Sequence, residues 1–262
     1  MTYEQRHNLL VGVFNIPSRL VHLTKYTCAQ HLFKLQPGFD AVIAGILKAD
    51  PGGIVLLQSA DSKSKTDLVK RRLQSSLPET MYERVIFVPR VTSHDFHLLL
   101  QMSDVLLHPF PFGGSKTSSD AILSGTPLVI MPTQYLRGRM ALGLYYELLA
   151  EEADDREGAF GWLYECCIAE SVEEYVKRAA RLGKDKDFRS MVSKLIRDRA
   201  HLIFDNESVV LEWLQFLNEV AGLAAPVQAT LPKLPHEEFN DLVMRSLQRT
   251  STQYYSDDAT LI

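Results

Sequence analysis

The chain has 262 residues, 46% of them apolar, enough to bury the core of one large α/β domain or of a domain with appendages. Its net charge of −4 and isoelectric point near 6.1 leave no electrostatic footprint for nucleic acid or a membrane surface. The three cysteines, Cys28, Cys166 and Cys167, form neither a metal-ligand spacing nor a CxxC pair, which fits a reducing compartment. No segment reaches the roughly 18 apolar residues of a membrane span. Residues 1–8 carry Glu4 and Arg6 and lack the apolar centre of a secretory signal, so cytosol or nucleus is expected.

In chain order, residues 1–21 read as a lead-in, followed by alternating strands and helices. Short runs rich in Val, Ile and Leu mark strands at 53–58, 84–88, 104–108 and 127–131, with a weaker one at 21–28. Continuous apolar runs of this length suit strands buried on both faces, as in a parallel sheet. Helical periodicity fills the gaps at 40–48, 66–77 and 94–102, and a short helix at 118–124 ends at Gly125. Lys63, Lys65, Lys70, Arg71 and Arg72 are expected on a solvated helix face. This rhythm predicts right-handed βαβ units and a Rossmann-like parallel sheet over about residues 22–132.

The second half turns helical, with apolar stripes at 136–150, 172–182, 187–203 and 208–220. Residues 150–161 look like an acidic surface insertion. The run 162–168, which holds Cys166 and Cys167, reads as a buried strand. Beyond Gly222 the sequence predicts a Pro-containing linker, a short helix at 236–248 and a loose tail at 249–262. The expected division is therefore 1–21, 22–222 and 223–262.

One turn concentrates the chemistry. After the strand at 104–108 come Gly113, Gly114, Ser115, Lys116, Thr117 and Ser118, and then a helix carrying Asp120. Two glycines let a backbone approach an anion without Cβ atoms and permit positive φ. The helix start then offers free N–H groups and the positive end of its dipole. Hydroxyls at Ser115, Thr117 and Ser118 either contact that anion or simply cap the helix. Asp120, one turn in, either receives both hydroxyls of a ribose or pairs with the helix dipole. A P-loop is excluded, because Ser115 precedes Lys116 and Phe110 stands where its first glycine belongs. His94 and His97 lie three apart on one helix with no carboxylate-rich partner motif, so an exposed face is expected there rather than zinc.

Four blocks in register extend this reading: YTCAQHLFKLQPGFD (26–40) with Ile46, Leu47, Asp50 and Pro51; RVIFVP (84–89); SDVLLHPFPFGG (103–114) with Thr117, Asp120 and GTPLV (125–129); and LRGR (136–139). With these blocks the chain resembles the C-terminal catalytic lobe of family 41 glycosyltransferases. That family comprises the O-linked N-acetylglucosamine transferases, SPINDLY-type O-fucosyltransferases and bacterial relatives. Weaker similarity continues through Glu174, Tyr175 and Val176 to Phe204 and Asp205.

The resemblance implies the nucleotide-sugar-binding lobe of a GT-B enzyme that inverts the sugar and uses no metal or other cofactor. It assigns Lys34 as the catalytic lysine that neutralises the departing diphosphate, where its spacing alone also fits a surface lysine. By the same resemblance Gln30 and His31 line the phosphate side, Thr117 contacts phosphate and Asp120 holds the ribose. Backbone at Val91 and Thr92 meets the base, Phe96 either stacks on it or belongs to the core, and Arg139 buttresses the ligand loops.

The chain also departs from the pattern. Ser115-Lys116-Thr117 replaces His-Thr-Thr of the animal enzymes, and Phe96 and Leu99 replace a histidine and an arginine near the base. UDP-GlcNAc is therefore the favoured donor, with a GDP-sugar as the alternative. The family's general base and acceptor contacts lie on an N-terminal lobe, and its TPR repeats recruit the protein acceptor. Neither has a counterpart in these residues. The expectation is the donor-binding half of a protein O-glycosyltransferase, and the rival is a non-catalytic nucleotide-sugar-binding or interaction module.

Overall fold

The computed structural model describes residues 2–149, 159–204 and 207–222. Of the expected insertion at 150–161, residues 150–158 lie outside the described residues, as do the linker, short helix and tail beyond 222, while 159–161 begin a helix. The chain enters through α1 (Tyr3–Asn8), a π-helical turn (Leu9–Val13) and a 3-10 turn (Ser18–Leu20). Then β1 (Thr24–Cys28) leads through a second 3-10 turn (Leu32–Lys34) to α2 (Pro37–Ala49) and β2 (Gly53–Gln58). Next come α3 (Lys63–Ser76), a single turn α4 (Glu79–Tyr82), β3 (Val85–Val88), α5 (Ser93–Met102) and β4 (Val105–Leu107). The sheet closes with α6 (Lys116–Ser124) and β5 (Leu128–Val129).

All the strand pairs are parallel and the order is β3-β2-β1-β4-β5. This is the doubly wound arrangement expected from the sequence. The order reverses between β1 and β4, so the loops after those two strands diverge to opposite faces and leave a crevice at the carboxyl edge. Helix α6 ends as predicted: Gly125 sits at φ +69°, a conformation open to glycine at little steric cost.

Period-two alternation divides the strands between two apolar layers. Tyr26, Cys28, Val55 and Leu57 face one layer with α2 and the later helices. Ile54, Leu56 and Val88 face the other, where they meet Leu10, Phe14, Ile16 and Leu20 from the lead-in. Phe14 and Ile16 are fully buried, and each contributes about 1.5–3 kcal/mol by leaving water. Residues 10–20 thus complete the second layer.

The remaining elements are a 3-10 turn (Leu136–Gly138), α7 (Met140–Glu147), α8 (Ala159–Cys167), α9 (Val172–Lys184), α10 (Lys186–Arg199), α11 (His201–Phe204) and α12 (Glu207–Ala221). Tyr175 of α9 is fully buried and donates to the carbonyls of Val129 (2.8 Å) and His108 (3.2 Å), which ties this helical half to the sheet. Helix α12 forms where expected, yet Trp213, Phe216, Leu217 and Val220 on it are exposed.

Four expectations are corrected. The run at 162–168 is the end of helix α8 rather than a strand. Leu163, Cys166 and Cys167 are buried at helical spacing, and only Ile168 bridges the sheet, at Ile130. A short apolar run cannot by itself distinguish the two periods. The helix at 136–150 is broken at Arg139, whose φ/ψ of −115°/−7° joins the 3-10 turn to α7. The helix at 187–203 breaks after Arg199. Arg72 is not solvated with its basic neighbours: it grips the buried carboxylate of Asp40 through two bonds of 2.9 and 2.8 Å.

Candidate donor-binding site

The loop after β1 and the loop after β4 meet in the crevice. Lys34, at the end of the 3-10 turn, donates to the carbonyl of Gly113 (2.8 Å) and to Oε1 of Gln30 (2.9 Å). Gln30, almost buried, donates from its amide nitrogen to the hydroxyl of Thr117. Lys34 and Gln30 thereby clamp the distant glycine turn to the loop after the first strand. The Lys34 ammonium also lies 4.5 Å from the centre of the Phe112 ring, a cation–π contact. Partial burial lowers its proton affinity below that of a free lysine. His31 is exposed and stacks on Phe33 at 5.6 Å; desolvation, Arg90 and Lys34 push its pKa down.

The positive φ that the glycines permit is not used. Neither Gly113 nor Gly114 adopts positive φ. Instead, a Cβ on Gly113 would fall 1.6 Å from Cε1 of His108, and one on Gly114 would fall 2.3 Å from Oγ1 of Thr117 and 2.4 Å from Nε2 of Gln30. Close side-chain approach, not left-handed backbone, requires glycine at both positions. His108 is fully buried, and its Nε2 accepts the N–H of Gly114 (3.0 Å). That bond places the proton on Nδ1, and burial pushes the pKa to about 4, so the ring is neutral. His108 Nδ1 has no partner among the described residues. No sequence signal marked this brace, because His108 stood there only as the end of an apolar strand.

Helix α6 begins at Ser115, which occupies the capping position without making a capping bond. Its hydroxyl is exposed, and the first amides of the helix, at Lys116 and Thr117, precede any intrahelical acceptor. Ser118 is buried and donates to the carbonyl of Gly114 (3.1 Å), bracing the turn from within.

Asp120 is nearly buried and sits between two cations. Lys116 bonds both of its oxygens (3.2 and 3.1 Å), and Nε2 of His97 lies 3.3 Å from Oδ1. The expected exposed face for His94 and His97 holds for His94 alone; the His97 side chain is 13% exposed and packed toward α6. Its Nδ1 meets the carbonyl of Ser93 at 2.6 Å. Both ring nitrogens therefore face acceptors, and both bonds require a proton, so the geometry favours the imidazolium. The bond to Asp120 raises the pKa, against the opposing effect of burial.

The base-side residues are arranged around α5. Thr92 caps this helix, accepting the Asp95 N–H (3.2 Å) and donating to Oδ2 of Asp95 (2.8 Å). Val91 packs on the second apolar layer, and Phe96 is half-buried against the first layer with its ring edge-on to His97. Behind the turn, Arg137 supports it through its backbone carbonyl, which accepts the N–H of Gly113 (3.0 Å). Arg139 is exposed and donates to Thr133 O (3.3 Å). Among the described residues no cluster of three or more His, Cys, Asp or Glu could hold a metal, and no helix is long and apolar enough to cross a membrane.

Comparison with known proteins places this geometry. Residues 14–210 match glycosyl transferase family 41. The chain belongs to that family. A UDP-N-acetylglucosamine–peptide N-acetylglucosaminyltransferase of Caenorhabditis elegans is 27% identical over 157 residues, which is 60% of this chain and 12% of the relative. The O-GlcNAc transferase of Thermobaculum terrenum, solved as a K341M mutant, superposes with TM-score 0.56 at 21% identity, covering 68% of this chain and 32% of that one. Anabaena Alr3699/HepE, solved with UDP and glucose, superposes with TM-score 0.54 at 16% identity, over 81% of this chain and 53% of the other. The family 41 fold is thus that of a GT-B lobe, and the chain spans a minor part of the transferases it matches.

Proposed function

We propose that this chain is the donor-binding lobe of a protein O-glycosyltransferase that moves GlcNAc or a related sugar from a nucleotide-sugar to Ser or Thr hydroxyls. The observation that carries the reading is the closure of the β1 and β4 loops onto each other. It brings Lys34, Gln30 and Thr117 beside the free start of α6, with Asp120 one helical turn away. The relatives named as UDP-N-acetylglucosamine and O-GlcNAc transferases, and the Anabaena structure with UDP, support uridine as the base.

In this reading the ribose hydroxyls donate to Asp120 and displace Lys116, whose side chain is 73% exposed and free to swing. His97 stays in place and keeps the carboxylate aimed. The diphosphate meets the first amides of α6, the hydroxyls of Ser115 and Thr117, and the ammonium of Lys34. Lys34 now rests on two neutral oxygens, so an anionic phosphate is a stronger partner than either. As the bond from the anomeric carbon to the diphosphate oxygen breaks, negative charge grows on the leaving group and Lys34 stabilises it. This preorganised electrostatic effect needs no metal. The acceptor hydroxyl attacks from the opposite face of the sugar and inverts it, and its proton passes to a base outside these residues.

The alternative, a non-catalytic nucleotide-sugar-binding or interaction module, shares the donor site and differs only in the transfer step. Calorimetric titration with UDP, GDP and their sugars tests the shared premise. Saturable binding of a uridine diphosphate is expected, weakened at least about tenfold by Lys34→Ala and by Asp120→Ala, as loss of a charged hydrogen bond requires. Absence of binding at millimolar nucleotide overturns the donor-lobe reading, and unchanged affinity in both variants moves the site elsewhere. Peptide glycosylation by the chain joined to a complementary N-terminal lobe then separates enzyme from binding module.

A further inference from the structure

A second cavity lies at the opposite, amino-terminal edge of the sheet. It has a volume of about 430 Å³, within the range of small-molecule sites. The start of β1, Asp104 just before β4, helix α1 and helix α10 enclose it. Among the described residues lining it, four basic side chains, Arg6, Lys25, Lys186 and Arg189, accompany one carboxylate, Asp104. Leu10, Val21 and Leu23 supply an apolar wall, and His7 and His22 add two further potential donors.

Both oxygens of Asp104 already have a partner. Oδ2 accepts the backbone N–H of Lys25 (2.8 Å), and Oδ1 pairs with Arg189 at 2.9 Å. Arg6 reaches only a carbonyl, that of Met102 (3.0 Å). Lys25 is buried, with 4% of its residue surface exposed, and among the described residues its ammonium makes one hydrogen bond, to the carbonyl of Leu23 (2.8 Å). A recessed ammonium whose nearest carboxylate, Asp104, is shared with Arg189 is a ready partner for an anion entering the cavity. Burial, with Arg6 and Arg189 nearby, depresses the Lys25 pKa to about 8, against the pull of Asp104.

We propose that this cavity binds a phosphorylated small molecule, with its phosphate on Lys25, Arg6 and Lys186 and its organic part against Leu10, Val21 and Leu23. Lys25 is recessed, which favours a compact dianion over a peptide carboxylate on a short stem. The inference rests on the cavity alone and does not depend on the donor-site reading.

Inorganic phosphate and pyrophosphate are the probes, titrated calorimetrically at low ionic strength, where screening is least. Lys34→Ala serves as background so that the crevice at the other edge contributes little. Saturable binding is expected, weakened at least about tenfold when Lys25→Met is added and several-fold with the exposed Lys186→Glu. The melting temperature of Lys25→Met should be unchanged or higher, since a buried charge is removed; a purely structural lysine would lower it. Should Lys25→Met fail to fold, Lys186→Glu decides. Equal binding in the variants, no saturable binding at millimolar probe, or binding of a short polyglutamate peptide but not of pyrophosphate overturns the proposal. A failed donor-site reading would show separately, as UDP affinity indifferent to Lys34→Ala.

Discussion

The two edges of one parallel sheet solve the same electrostatic problem differently. At the carboxyl edge each cation has a partner that a ligand can replace: Lys34 rests on a carbonyl and an amide, and Lys116 on Asp120. At the amino edge Lys25 and Arg6 rest on carbonyls, while the nearby carboxylate is spent on Arg189 and a backbone amide. Positive charge at the first edge is partly exposed on Lys34 and exposed on Lys116; at the second it is exposed on Arg6 and Lys186 and buried on Lys25. The first arrangement suits a ligand that arrives, reacts and leaves. The second stores a cost that a bound anion relieves.

The comparison breaks most sharply at Gly113. Gly113→Ala would drive a methyl into the buried His108 ring, an overpacking expected to cost roughly 3 kcal/mol and to abolish nucleotide binding. Thermal melting and calorimetry check both effects, and the amino-edge cavity should be indifferent in its anion binding.

Lys25 gives the next effect. Its folded pKa of about 8 lies below the ordinary lysine value of 10.5, so the unfolded chain binds more protons between those values. Stability therefore rises with pH across that window, and below it the buried charge costs roughly 3 kcal/mol. Urea unfolding from pH 7.5 to 10.5 should show this slope, and Lys25→Met should flatten it.

Asp120→Asn comes third, at about 2 kcal/mol. It leaves His97 buried without its counter-charge and removes an acceptor proposed for ribose. Nucleotide titration and melting should both register it.

His97 itself titrates with the opposite sign to Lys25. Its folded pKa is raised above 6.5, so its stabilising contribution is complete below that value and is lost as pH rises through the folded pKa. NMR titration of the ring should locate that raised pKa, and His97→Gln should remove this part of the pH dependence. The smallest change is expected for Lys116→Ala, within about 0.5 kcal/mol of wild-type stability, because the pair is solvent-exposed on the lysine side.

Much of the site was readable without coordinates, for definite reasons. Lys34, Thr117 and Asp120 stand in blocks whose order and spacing carry the family pattern. The glycine pair before a helix start pointed to a candidate anion site from local rules alone. His97 and His108 were not readable, because a histidine's role depends on which acceptors reach its two nitrogens. Those acceptors come from Asp120 and Ser93 in one case and from the Gly114 amide in the other. Arg72 was misread for the same reason: its helix spacing says surface, but Asp40 on a neighbouring helix claims it.

What the sequence alone determined is the alternation of strand and helix, the parallel character of the sheet, the glycine turn and the membership of Lys34 and Asp120 in a common pattern. These follow from local periodicity, backbone sterics and spacing along one chain. The tertiary structure decided which loops meet. The strand order β3-β2-β1-β4-β5 sets β1 beside β4, which carries Lys34 to Gly113 and Gln30 to Thr117 across long stretches of chain. The same order sets Lys25 beside Asp104 at the far edge, where α1 and α10 close a basic cavity over them. Proximity between distant segments is fixed by sheet pairing and packing, and no local rule along the sequence contains it.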